Sequence, residues 1–99
     1  MPSFRVVLTL GDVRGGVDPS SILPRAAASA RELTVVEAFD VSVVSGTARI
    51  TVRFTAEDAE LALQIGHHVA SSLTAFAIVT DETVTERVSG RWYVVGQDR

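Results

Sequence analysis

The 99-residue chain predicts an α+β fold, and three features carry that prediction. Several short runs alternate apolar and polar residues, the period of a half-buried strand. Two other runs place apolar residues at helical spacing. The two kinds of run follow one another as strand, helix, strand, strand, helix, strand, with a hairpin appended.

The first strand is Ser3 to Leu10, where Phe4, Val6, Leu8 and Leu10 alternate with Arg5, Val7 and Thr9. "GDVRGGVDPSS" then interrupts the pattern with three glycines and a proline and reads as a loop. Asp18-Pro19 is a turn or helix-start signal. It leads into a short turn at Pro19–Leu23 and a helix from Pro24, with proline in the first turn, to about Leu33.

"TVVEAFDVSVVSGTARITVRFTA" reads as two strands around Ser45-Gly46. With those two residues as the loop, Val44 faces Thr47, Val43 faces Ala48, Val41 faces Ile50 and Phe39 faces Val52. The large apolar residues then share one face, and Asp40, Ser42, Arg49, Thr51 and Arg53 share the other. A slip of one residue would set Phe39 opposite an arginine, so pattern and turn agree on the register.

A second helix follows in "TAEDAELALQIGHHVASSLTA". Thr55 is the expected N-cap, and Glu57, Asp58 and Glu60 fall where the helix dipole favours them. Ala62, Ile65, Val69 and Leu73, with Leu61, form the apolar stripe. "FAIVT" is a strand, Asp81-Glu82 a loop, and "TVTERVSGRWYVVG" a hairpin around Ser89-Gly90 that sets Arg87 against Trp92 and Glu86 against Tyr93. This order resembles the ferredoxin-like βαββαβ superfold with a C-terminal hairpin extension. The resemblance implies an antiparallel sheet with the first and third strands central and both helices on one face. The superfold hosts many functions and names none.

Composition narrows the function. The length suits a single domain over residues 1–99. No cysteine is present, which removes disulfides and thiol chemistry and suits a cytoplasmic location. The N-terminal apolar run is too short for a signal peptide, and no stretch suits a membrane span. All nine basic residues are arginines, so lysine-dependent chemistry is excluded. A net charge of −3 with no basic run argues against nucleic acid as partner. The arginine-rich sheet face is not expected to stack bases either, since its outward positions on these strands are Arg, Thr and Val.

The residues that could carry chemistry are few. His67 and His68 are adjacent, so on a helix they point about 100° apart and cannot serve one metal together. His67 falls on the solvated face, and His68, at the edge of the apolar stripe, is the candidate acid–base group. The glycine loop fits no phosphate-binding pattern, and no metal or cofactor is expected. Arg5, Arg49 and Arg53 lie outward on neighbouring strands, with Asp40 diagonal to the last two and placed for an ion pair. These three arginines are the candidate ligand site, suited to a small anion.

The reading that follows is a small non-enzymatic module that forms a homodimer, with the arginine face in the contact or lining its seam. An alternative is a small enzyme of the dimeric α+β barrel kind, with a pocket between sheet and helices and His68 as its acid–base group. An accessory subunit of a larger complex is a third reading.

Overall fold

The computed structural model describes residues 1–96. Its elements are β1 (Ser3–Val13), a 3-10 turn (Pro19–Ser21), α1 (Ile22–Arg31), β2 (Val36–Val44), β3 (Thr47–Thr55), α2 (Ala59–Leu73), β4 (Ala77–Val88) and β5 (Arg91–Val94). The strands form one antiparallel five-stranded sheet in the order β2-β3-β1-β4-β5. The fold is therefore α+β, with two helices and one sheet.

The alternation in β1 and β3 decides where the core lies. Phe4, Val6, Leu8, Ile50, Val52 and Phe54 point to one face and are buried there. Ala26 and Ala30 of α1 and Ala62, Ile65, Val69 and Leu73 of α2 close over them in a single cluster. The opposite sheet face, with Arg5, Val7, Thr51 and Arg53, stays half-exposed.

Both hairpins fold in the expected register. Val44 pairs Thr47, Val41 pairs Ile50, and Phe39 pairs Val52. Arg87 pairs Trp92, and Glu86 pairs Tyr93. The loop residues Ser45 and Gly46 have φ of 53° and 78°, and Ser89 and Gly90 have 52° and 80°. Positive φ at both central positions is the type I′ geometry that matches strand twist.

Several boundaries differ from expectation. β1 continues to Val13, so Gly11 and Asp12 belong to the strand and not to the glycine loop. α1 begins at Ile22 and ends at Arg31, and Pro24 sits in its first turn, where a missing N–H costs nothing. The N-cap of α2 is Asp58, not Thr55; its carboxylate accepts from the Leu61 N–H at 2.9 Å. Leu61 lies partly exposed outside the core cluster. Asp81-Glu82 is no loop: β4 runs unbroken through it, with register shifts against β1 between Thr9 and Leu10 and between Leu10 and Val13. These irregularities let one long strand bend where two short ones were expected.

Gly66 sets the spacing between α2 and the sheet. A Cβ at that position would meet Val84 Cγ2 at 2.6 Å and Val6 Cγ2 at 3.3 Å. Only a bare backbone allows the helix to come this close to β1 and β4.

Candidate functional site: the open sheet face

The sheet face away from the helices gathers Arg5, Arg53 and Trp92. Register brings them together: Arg5 pairs Arg53 on one side and Thr85 on the other, and Thr85 in turn pairs Val94 on β5. Trp92, two residues before Val94, shares that face and lies diagonally across β4 from Arg5. The Arg5 guanidinium carbon is 3.9 Å from the Trp92 ring centroid, and that of Arg53 is 5.5 Å from it. One indole thus holds two guanidinium groups, each contact worth about 0.5–1 kcal/mol at an exposed site.

A groove of about 310 Å³ opens beside them, lined among others by Arg5, Arg53, Asp40, Ser42 and Thr51. Arg53 Nε lies 3.0 Å from Glu37 Oε1, which also accepts from Ser3 Oγ at 2.8 Å. The expected partner Asp40 makes no ion pair among the described residues. A register shift between Val36 and Ala38 presents Glu37 to Arg53 instead. Arg5 has no carboxylate partner among the described residues. A guanidinium seated over an indole still carries N–H donors that can engage a carboxylate or phosphate.

Of the three arginines singled out, Arg5 and Arg53 converge and Arg49 does not. Arg49 pairs Thr9 and Ser42, four residues or about 13 Å along β3 from Arg53. Trp92, the outward aromatic that completes the cluster, is not among the residues the sequence pattern singles out. Carrying the tail hairpin register onward across β4 to β1 is the step that finds it.

The two histidines diverge to opposite sides of α2. His67, 72% exposed at its side chain, has Nδ1 3.4 Å from Glu82 Oε1 on β4. His68 has Nε2 2.8 Å from Glu32 Oε1 at the end of α1. Ser72 Oγ donates to the His68 carbonyl at 2.8 Å and lies 2.7 Å from Ser29 Oγ, so it does not engage the His68 imidazole, while Ser71 Oγ lies 3.4 Å from His67 Nε2. The groove between the sheet and the start of α1, about 390 Å³, has apolar walls such as Leu10, Ile22, Leu23, Val41 and Ile50, and no histidine lines it. Among the described residues no three His, Cys, Asp or Glu side chains gather as a metal site. No helix there is long and apolar enough to cross a membrane.

The chain matches no protein-family profile, and no curated protein or solved structure matches it either.

Proposed function

We propose that the protein is a non-enzymatic, self-associating module that binds a small anion on its open sheet face. The single observation that carries this reading is the Arg5–Trp92–Arg53 cluster at the rim of the groove. Arg5, held by the indole and without a carboxylate partner among the described residues, is the primary anion ligand. Arg53 is the second, already half-neutralised by Glu37. The sheet order, with two helices over one face, is read as a ferredoxin-like core to which β5 is added. Such a core with one layer of helices leaves a sheet face unfilled, and ligand binding or self-association uses it. The absence of cysteine favours a reducing, cytoplasmic setting.

The enzyme reading has less support. Its acid–base candidate, His68, pairs with Glu32 at the outer edge of the helix layer, apart from the groove walls described above.

Trp92 is the only tryptophan, so its fluorescence reports the site directly. Titration with inorganic phosphate, citrate and a neutral sugar should give a saturable change with the anions alone. The change should disappear in Arg5→Ala. An identical response in wild type and Arg5→Ala, or none with any anion, would reject the reading.

A further inference from the structure

The sheet ends on β2, and among the described residues no strand pairs with its outer edge. After Val36, every residue of the strand is exposed, including Phe39 at 41%, Val41 at 52% and Val43 at 71%. A long, apolar, unpaired edge is a template for another strand.

The hairpin geometry tells which backbone groups are free. In a two-residue hairpin the residues flanking the loop, Val44 and Thr47, exchange hydrogen bonds. Alternation then turns the backbone of Val44, Ser42 and Asp40 toward β3, and that of Val43, Val41 and Phe39 outward. The outward set belongs to the three exposed apolar residues.

We infer that β2 pairs antiparallel with β2 of a second copy about a twofold axis through Val41. The inference rests on the self-association proposed above and names its surface. An antiparallel pair that keeps both core faces on one side must be centred on a residue. Centred on Asp40, the two Asp40 carboxylates stand opposite each other, which is unfavourable. Centred on Ser42, the paired stretch shortens to Asp40–Val44. Centred on Val41, residues 38–44 pair throughout: Val41 meets the partner's Val41, Phe39 meets the partner's Val43, and Asp40 meets the partner's Ser42. No like charges stand directly opposite one another, the two Asp40 carboxylates being diagonal at roughly 7–8 Å, and the outward groups of Phe39, Val41 and Val43 form about six backbone hydrogen bonds.

The chemistry around the seam agrees. Val41 also lines the apolar groove beside α1, so pairing brings the two grooves of the dimer together on the helix side. On the other side Asp40 and Ser42 line the arginine groove, so two anion sites flank the seam on one ten-stranded sheet. The open face, being mixed and polar, then remains in water as antiparallel sheets permit. The Glu37 bulge marks where pairing stops.

The test is sedimentation velocity from tens to hundreds of micromolar, on wild type, Val41→Pro and Arg49→Glu/Arg53→Glu. The Val41 N–H points away from β3, so proline there spares the hairpin ladder and blocks only the edge. We expect a dimer for wild type and the arginine variant and a monomer for Val41→Pro, with native circular dichroism in all three. Because the chain lacks cysteine, Val41→Cys should also cross-link rapidly on mild oxidation. Val43→Cys should not, since its twin lies about 13 Å away in this register. Should Val41→Pro not fold, the cysteine pair decides alone. A folded, dimeric Val41→Pro, or equal cross-linking of the two cysteine variants, overturns edge pairing and leaves self-association standing. A monomeric wild type overturns both, while the tryptophan titration still judges the anion site.

Discussion

Replacing Gly66 with alanine tests whether α2 is held against the sheet as closely as the fold requires. Two effects of opposite sign compete. Alanine in a helix interior is favoured over glycine by about 1 kcal/mol. Against that, the new Cβ would sit 2.6 Å from Val84 Cγ2 and 3.3 Å from Val6 Cγ2. The first contact must open by about 1 Å to reach the ordinary carbon–carbon separation. Val84 and Val6 are buried, at 4% and 0% exposure, and their β-branched side chains have little rotamer freedom with which to retreat. Overpacking of this kind costs about 1–3 kcal/mol, and the stiffness of both neighbours puts it in the upper half of that range. The net expectation is a loss of about 1–2 kcal/mol, or a melting temperature lower by roughly 5–15 °C for a domain of this size. Thermal unfolding followed by circular dichroism is the assay. Gly15→Ala is the control, because nothing lies within 4 Å of a Cβ there. A Gly66→Ala protein that melts at or above the wild-type temperature would show that the helix sits farther from β1 and β4 than described.

Other consequences follow from the same geometry. Gly46→Val and Gly90→Val, at φ of 78° and 80°, should each lower stability by about 1–2 kcal/mol in chemical denaturation, and unchanged midpoints would contradict the two I′ turns. Ser45→Asn should raise the melting temperature slightly, by up to about 0.5 kcal/mol of stability, since asparagine adopts positive φ more readily than serine. The Asp18 carboxyl is held below its ordinary value by the backbone N–H and then the hydroxyl of Ser20. A carboxylate with a lowered pKa stabilises above its unfolded value, near 3.8, and loses that contribution as pH falls through the folded value. Asp18→Asn should therefore weaken the turn at neutral pH and match wild type in strong acid; a difference that persists in acid would assign the effect to something else. Protein purified without a histidine tag should carry no stoichiometric zinc, nickel or iron by elemental analysis, and one equivalent lost on His68→Ala would overturn the reading of the histidines.

Local pattern made much of this fold legible, and long-range register hid the rest. The β2–β3 pairing could be read because a two-residue turn and a period-2 alternation each fix register and agree. The same logic placed Arg87 against Trp92. What it did not reveal was the unbroken β4, because Asp81-Glu82 has the composition of a loop and only pairing with β1 makes it a strand. Trp92 beside Arg5 depends on that long strand, so it was hidden for the same reason. The pairing of Arg53 with Glu37 in place of Asp40 comes from one extra residue in β2, and no periodic pattern announces a bulge. Arg5 and Arg53 were legible as outward neighbours from strand order alone.

The claim that the Arg5–Trp92–Arg53 cluster binds an anion meets its most direct test in the single indole N–H resonance of nitrogen-15-labelled protein. Addition of inorganic phosphate or citrate at constant ionic strength should move that signal along a saturating curve, together with the backbone amides flanking Arg5 and Arg53. The amides around His68, across the core, should stay still. An indole signal that does not move while ions bind elsewhere, or one that moves equally in Arg5→Ala, would contradict the account.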